Sequence, residues 1–463
     1  PSLFIVILSF LLGRFFCGWL CPMGGLLDSA RKILGSKSVR KVTLYPKLPR
    51  LLFFFLIIAA AFGMPFAGYL DPFSLLVRGM VQVVYPGVNL LAETFFTYTY
   101  HNLPAAVNDV TEPLYGFMQA TVLPFEQRYY ELALVSGLLL AVIFLAEIYQ
   151  SRLFCRNVCP LGGMLGLVSR FGTMRISGGN DKCGSCRLCA TNCRMGAVDT
   201  ERVISASSCI LCMDCMVSCP KQIIHPVVSL PSFQAGKKDT VSLSRRQFLG
   251  TATAVFALPL VFGVSDGASK QQNMLVRPPG ALVEKDFLAR CVRCGECIQV
   301  CITNGLQPAA LQAGFEGLFS PYLHTRSGYC EFNCTLCGQV CPTGAIQVLG
   351  IDEKHISKIG HAWFDKNLCL PFAKGISCIV CEEHCPTPEK AIKFNLVVVK
   401  DQHGQMVTLK QPYIVDELCI GCGICETKCP LPGKAAIFVN SAGEKRDPDN
   451  MLPGAGGNTS GYP

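Results

Sequence analysis

The sequence predicts a mixed fold, in which an α-helical integral membrane part with about four transmembrane helices is joined to small α+β domains rich in cysteine. Only 16% of the 463 residues are charged and 50% are hydrophobic, whereas soluble domains carry about 25% charged residues. The long apolar stretches fall almost entirely within the first 150 residues, and most of the 28 cysteines recur at regular spacings over the remainder. This distribution argues against a wholly soluble enzyme and against a polytopic transporter.

A membrane domain is predicted over residues 1–170, with spans at 1–16, 51–70 and 132–149. The first stretch is short for a span of about 20 residues, and we interpret it as the end of a helix that begins earlier. The loop 71–130 has few lysines or arginines and many aromatic residues, which is typical of an outside loop with short interfacial helices. The loop between the first two spans is predicted to be cytoplasmic rather than a nucleic-acid site; its basic residues are Arg31, Lys32, Lys37, Arg40, Lys41, Lys47 and Arg50.

The cysteines fall into six quartets and two pairs. Four quartets have the spacing C-x2-C-x2-C-x3-C, the bacterial ferredoxin run, whose fourth cysteine usually binds the neighbouring cluster. The first two quartets are Cys183, Cys186, Cys189, Cys193 and Cys209, Cys212, Cys215, Cys219. The other four are Cys291, Cys294, Cys297, Cys301; Cys330, Cys334, Cys337, Cys341; Cys369, Cys378, Cys381, Cys385; and Cys419, Cys422, Cys425, Cys429.

Two other uses of these cysteines fit the spacing poorly. In a disulfide framework every C-x2-C pair would need partners elsewhere in the chain. Zinc ribbons separate two such pairs by a longer loop. The quartets therefore predict six [4Fe–4S] clusters, in a cytoplasmic two-cluster ferredoxin-like domain at 171–240 and a periplasmic four-cluster domain at 266–443.

Between these domains, adjacent arginines Arg245 and Arg246 precede the apolar run 251–264. This order is typical of a twin-arginine translocation signal, which we expect to be retained as a fourth helix over 241–265. The alternative is an ordinary helix start with two snorkelling arginines. The predicted location is the bacterial inner (cytoplasmic) membrane, with several passes, and residues 444–463 form an extended tail.

The two cysteine pairs, Cys17 with Cys21 and Cys155 with Cys159, share the motif F-C-x3-C-P-[ML]-G-G just after an apolar stretch. Two such pairs brought together would place four thiolates around one site, so we expect a shared metal centre, a seventh cluster or another thiophilic metal. The alternative is that all four are structural cysteines that pack as small hydrophobic residues.

The motifs also carry a family resemblance. Residues 1–225, with GRFFCGWLCP, RLFCRNVCP and two ferredoxin runs, resemble a NapH-type membrane quinol dehydrogenase, and share C-x3-C-P with the NosR and CcoG group. Residues 242–440, with SRRQFLG, CVRCGECIQVC and CIGCGICETKCP, resemble the NapG/MauM-type four-cluster ferredoxin. These are usually separate chains and look fused here. The resemblance implies electron transfer from membrane quinol to a periplasmic acceptor.

We therefore expect a membrane-bound electron-transfer subunit that relays electrons between the quinone pool and a periplasmic redox partner within a respiratory complex. The alternatives are a redox or metal assembly or sensing factor, and a wiring scaffold. No C-x-x-C-H haem motif, phosphate-binding loop or nucleophile–base pair is present in the sequence, and no catalytic residue is identified.

The fourth cysteines define the cluster pairing. Crossed ligation predicts Cys219 with the first run and Cys193 with the second. For the outer domain, the resemblance to four-cluster ferredoxin subunits implies exchange between the first and fourth runs and between the second and third. That pairing sends Cys429 to the run of Cys291 and Cys385 to the run of Cys330. Sequential exchange, first run with second, is the competing outcome.

Overall fold

The computed structural model describes residues 2–34, 48–61, 66–124, 127–177, 183, 186–199, 201–228, 249–250, 253, 275–400 and 406–446. The chain divides into two compact units. The first unit comprises Pro1–Leu76 and Gly137–Gly263, and the second comprises Val77–Ser136 and Val264–Pro463. Residues 77–136, placed by the sequence in the membrane domain, thus group with the C-terminal cysteine-rich region.

The N-terminal half is helical. Its helices, among the described residues, are Ser2–Leu12, Phe16–Leu20 (a π-helical turn), Pro22–Ile33, Leu48–Ala61, Ala67–Leu70, Pro72–Gly79, Met80–Val84 (π-helical), Tyr85–Asn102, Ala105–Thr121, Ala133–Tyr149, Leu153–Asn157 and Pro160–Ser169. Pro160–Ser169 packs against Leu48–Ala61 and Ser2–Leu12. A Cβ added at Gly163 would collide with the Pro49 carbonyl oxygen, so the second glycine of the C-P-L-G-G motif permits this close approach.

The cysteine-rich regions consist of short helices and two-stranded sheets. The helices are Leu188–Thr191, Asp214–Val217, Glu284–Arg290, Glu296–Gln299, Leu311–Ala313 (3₁₀), Gly314–Gly317, Leu336–Gln339, Ile351–His355, Leu370–Ala373, Val380–Glu383 and Ile424–Thr427. The antiparallel strand pairs among the described residues are Met174–Ile176 with Pro226–Val228, Leu306–Pro308 with Pro321–Leu323, His361–Phe364 with Ile437–Asn440, and Ile392–Lys400 with Met406–Ile414.

The helices at 72–121 differ from the sequence prediction of an outside loop with short helices. Pro72 begins a helix and Pro104 directly precedes one, where a missing N–H costs nothing. Pro86 lies within the continuous helical stretch Pro72–Asn102, just after its π-helical turn, and Pro113 lies inside Ala105–Thr121. The prediction of short helices is therefore wrong.

Length and composition single out one helix of the described chain as able to cross a membrane, the stretch Pro72–Asn102. Leu3–Leu12, Leu48–Ala61, Ala133–Tyr149 and Pro160–Ser169 are apolar but shorter. The predicted helix at 251–264 lies outside the described residues apart from Thr253, as does the tail beyond residue 446. That the chain crosses a membrane with four helices thus remains a prediction from the sequence.

The core of the second unit is built around its cysteines. Phe287 and Ile298 are fully buried there, together with Ile437 and several of the thiols. One end is closed by a buried charge network, in which Glu284 pairs with Arg277 at 2.5 Å and with Arg446 at 3.0 Å. Burial alone would raise the pKa of Glu284, but the two guanidinium groups outweigh it and hold that pKa below its usual value.

We predict that Glu284→Gln lowers the free energy of unfolding at neutral pH by about 3–5 kcal/mol, because the fully buried Arg277 side chain loses its counter-charge. Denaturant unfolding, followed by loss of iron–sulfur absorption, measures the change. Glu417→Gln, which removes the same charge from an exposed position, is the control and should leave stability unchanged. Equal stability of both variants would show that the network contributes nothing.

Candidate iron–sulfur sites

Three of the regular runs share one backbone conformation. Left-handed residues flank the second cysteine on both sides, as with Arg293 and Gly295 around Cys294. Leu211 and Met213, and Gly421 and Gly423, repeat the pattern in two other runs. A four-residue helix then follows at once and contains the third cysteine.

This conformation directs backbone N–H groups at sulfur. The N–H groups of Arg293 and Glu296 donate to the thiols of Cys291 and Cys294, which lowers their pKa values against the larger opposing effect of burial. Fourth cysteines also accept from downstream N–H groups, as Cys193 does from Ala197 at 3.2 Å and Cys341 from Ile346 at 3.4 Å. Amides aimed at sulfur stabilise negative charge there, as a cluster thiolate requires.

Four groups of thiols form in the second unit, and we name them sites 1 to 4. Three of the groups each line a single cavity. Site 1 is Cys291, Cys294, Cys297 and Cys341; site 2 is Cys301, Cys330, Cys334 and Cys337; site 4 is Cys385, Cys419, Cys422 and Cys425. In site 3, Cys369 lies within electrostatic range of Cys378 and Cys429, and Cys381 lies near Cys378 and Cys369.

The prediction that the first run exchanges with the fourth, and the second with the third, is therefore wrong, and the sequential alternative holds. The cause is local packing. The helix Glu296–Gln299 packs against Leu336–Gln339, and Val380–Glu383 packs against Ile424–Thr427. Each pair of consecutive runs thus folds as one two-run unit.

The two pairs of runs meet at sites 2 and 4. The Cys330 N–H donates to the Cys422 carbonyl at 2.8 Å, and the Cys330 charge acts on the Cys422 thiol. The four sites therefore follow the order 1–2–4–3, with sites 1 and 3 at the ends.

In the first unit, the structure brings Cys193 together with the second run, as crossed ligation predicts. Its charge acts on Cys209, Cys212 and Cys215, and burial raises the pKa of the Cys215 thiol to about 12. This group is site 6. Site 5 holds the thiols of the first run, where Cys183 and Cys186 act on Cys189. Cys219 packs in an apolar cluster with Cys189 and also with Cys209 and Cys215, so its contribution to site 5 stays a prediction.

The two C-x3-C-P pairs also converge, and we call this group the paired-motif site. The charges of Cys17 and Cys21 both act on Cys155 and on Cys159. Burial raises the pKa of the Cys159 thiol to about 12, against a hydrogen bond from the Gly162 N–H at 3.3 Å. That these four thiols bind a metal remains a prediction.

Cysteine spacing alone did not reveal the residues that hold the two motifs together. Arg152, in the left-handed conformation and almost fully buried, donates to the Cys17 carbonyl at 2.7 Å and pairs with Asp28 at 2.8 Å. Asp28 also pairs with Arg194, beside Cys193, at 2.6 Å. The signal was available, because an arginine stands three residues before the first cysteine of both motifs.

Burial without compensating charge makes these thiol groups unstable as bare thiolates. Burial raises the pKa of Cys337 to about 12 and those of Cys297 and Cys425 well above the usual value. Ferric and ferrous iron would supply the missing positive charge, so buried quartets with N–H donors fit [4Fe–4S] clusters. The chemistry such clusters supply is one-electron transfer.

Comparison with known proteins bears on this chemistry. The 4Fe-4S binding domain family matches residues 2–41, 132–177 and 337–364, and the first two segments contain the paired motifs. The ferredoxin-type protein NapG of Escherichia coli is 34% identical over 160 residues, which are 33% of this chain and 67% of that protein. The methylamine utilization ferredoxin-type protein MauM of Methylorubrum extorquens is 36% identical over 196 residues, which are 39% of this chain and 81% of that protein.

The chain belongs to the NapG/MauM family of ferredoxin-type proteins. The putative electron transport protein YccM of Escherichia coli is also similar, at 26% identity over 46% of this chain and 51% of that protein. This NapG/MauM-type chain is therefore an iron–sulfur protein with a role in electron transfer.

The site assignments predict how cysteine substitutions combine. Cys291→Ala and Cys341→Ala should each remove about four iron atoms, and the double variant should remove no more, because both residues serve site 1. The matched pair Cys291→Ala with Cys429→Ala should remove about eight, because it affects sites 1 and 3. Iron and acid-labile sulfide content of the purified chain measure this. The reverse result would restore the exchange between the first and fourth runs.

Proposed function

We propose that this chain is an inner-membrane electron-transfer subunit, quinol dehydrogenase-like, that relays electrons between the membrane quinone pool and a periplasmic redox partner. The observation that carries the proposal is the order of sites 1–2–4–3 in the second unit, together with an apolar helical segment packed against the site 1 and site 2 end.

That segment, residues 77–136, contacts the run that links sites 1 and 2. Arg128 donates to the carbonyl of Gln299, which lies between Cys297 and Cys301. The Tyr129 carbonyl accepts from Asn304 at 3.2 Å and from Gln307 at 3.1 Å. A quinone held along this segment would lie beside the first clusters of the chain.

Two further contacts fix the segment. The Arg78 guanidinium lies 4.1 Å from the centre of the Phe319 ring, and the Tyr322 hydroxyl donates to Glu131 at 3.0 Å. Tyr130 is buried and lies within electrostatic range of Cys301. The helix Pro72–Asn102, long and apolar enough to cross a membrane, is thus continuous with a segment that is anchored to the cluster domain.

The resemblance of residues 1–225 to a NapH-type subunit supports the membrane and quinone parts of the proposal. The spans predicted from the sequence contain no histidine and no cysteine between their ends, so they supply no ligands for a cofactor within a hydrocarbon core about 30 Å thick. We therefore propose that quinone, or a cofactor of a partner subunit, connects the cytoplasmic clusters with the periplasmic ones. The outer clusters then pass electrons to a periplasmic protein.

The test adds a quinol analogue to the purified, cluster-loaded chain and follows cluster reduction by electron paramagnetic resonance. We expect reduction of sites 1, 2, 4 and 3. In Cys301→Ala, which removes a ligand of site 2, quinol should no longer reduce sites 3 and 4 at the wild-type rate, although dithionite still does.

The matched control is Cys378→Ala, which affects site 3 at the other end and should leave quinol reduction of sites 1 and 2 unchanged. Undiminished reduction of sites 3 and 4 in Cys301→Ala would contradict entry at site 2. Clusters that dithionite reduces and no quinol does would favour an assembly factor or a scaffold.

A further inference from the structure

The internal repeat extends beyond the cysteines, to R-x-F-C-x3-C-P-x-G-G. Its two arginines, Arg14 and Arg152, each reach the opposite motif. The Arg152 guanidinium carbon lies 3.3 Å from where a Cβ of Gly24 would stand, and Arg14 Nη2 lies 2.9 Å from the same point on Gly162. Gly24 and Gly162 are equivalent positions of the repeat. Each motif therefore places its arginine against the equivalent glycine of the other motif, and the two motifs are related by approximate two-fold symmetry.

The two motifs differ in the residue available to pair with the arginine. Arg152 is neutralised by Asp28, through hydrogen bonds of 3.1 and 2.8 Å. Asp28 follows Cys17 by as many residues as Gly166 follows Cys155, so the second motif has a glycine where the first has its carboxylate. No carboxylate therefore reaches Arg14 from the position equivalent to Asp28.

A cavity of about 100 Å³ lies beside Arg14 and Gly166. On the same measure one water needs roughly 10–15 Å³, so the cavity has room for a small polyatomic group. The described lining residues include no Asp or Glu, and Cys155 of the paired-motif site borders the cavity. Its polar lining includes three arginines and two serines: Arg14, Arg50, Arg156, Ser207 and Ser208.

The arginine at the centre is poorly satisfied. Arg14 is 5% exposed, and its Nε has no hydrogen-bond partner within the part of the chain that the structure describes. Its Nη1 donates to the Ser207 carbonyl at 3.2 Å, and Arg50 Nη2 donates to the Ser207 hydroxyl at 3.0 Å. A buried guanidinium N–H without an acceptor is costly, so the unsatisfied Nε of Arg14 favours a negatively charged occupant with acceptor oxygens.

We propose that this cavity binds a phosphate group, which takes the place that the Asp28 carboxylate has in the first motif. A dianionic tetrahedral oxyanion matches several guanidinium forks better than a single carboxylate would. The group can belong to free inorganic phosphate or to an anionic phospholipid headgroup. The proposal stands independently of the proposed electron-transfer partners.

The first arm titrates inorganic phosphate into the full-length, cluster-loaded and delipidated chain, by calorimetry in phosphate-free buffer. We expect saturable binding of one phosphate, weakened at least tenfold in Arg156→Gln, which removes a half-buried cation from the cavity lining. The control Arg187→Gln removes the same charge from an exposed site of the same unit and should bind within twofold of wild type.

The second arm places the chain in nanodiscs of phosphatidylglycerol or of phosphatidylcholine and counts retained lipid by native mass spectrometry. Retention of one phosphatidylglycerol by wild type, lost in Arg156→Gln, identifies a headgroup as the source. Binding of phosphate alone, without lipid retention, identifies the free anion. Phosphate affinity equal in wild type and Arg156→Gln, or no binding in either arm, overturns the proposal.

Discussion

The structure depends on the cost of burying thiolates. Sites 1, 2, 3, 4 and 6 and the paired-motif site each contain buried thiols whose surroundings oppose ionisation, as the pKa of about 12 for Cys337 shows. Backbone amides offset part of that cost, because left-handed residues such as Arg293 turn their N–H groups toward sulfur. Iron must supply the rest. Cofactor binding and folding of the cysteine-rich regions are therefore expected to be coupled.

In the paired motifs, charged side chains act together with backbone amides to offset the cost of burying thiolates. Four thiols converge there, where the Gly24 and Gly162 N–H groups lower the pKa values of Cys21 and Cys159 and buried arginines add to that effect. Arg152 lowers the pKa of Cys155 against burial, and through Asp28 and Arg194 it is linked to the region of Cys193. One ion-pair network thus connects the paired-motif site with site 6. A change of charge at either site therefore changes the electrostatic potential at the other.

Sequence spacing predicted what is local and missed what depends on packing between runs. The ligands within each run, and the contribution of Cys193 to its neighbour, follow from a spacing that fixes nearby sulfurs. Which runs exchange cysteines depends on contacts such as Ala281 with Ile346, which no spacing encodes. The long helix at 72–102 was missed because the aromatic residues of 71–130 were interpreted as marking short interfacial helices. Arg152 was missed because its role depends on Asp28, distant in sequence.

Consecutive runs exchange their fourth cysteines, and this exchange orders the outer sites as 1–2–4–3. Anomalous scattering at the iron edge from anaerobic crystals of the cluster-loaded chain tests it most directly. We expect iron positions between Cys341 and the first run, and a shortest distance between the two pairs of runs that joins site 2 to site 4. A cluster bound by Cys429 together with Cys291 would contradict it.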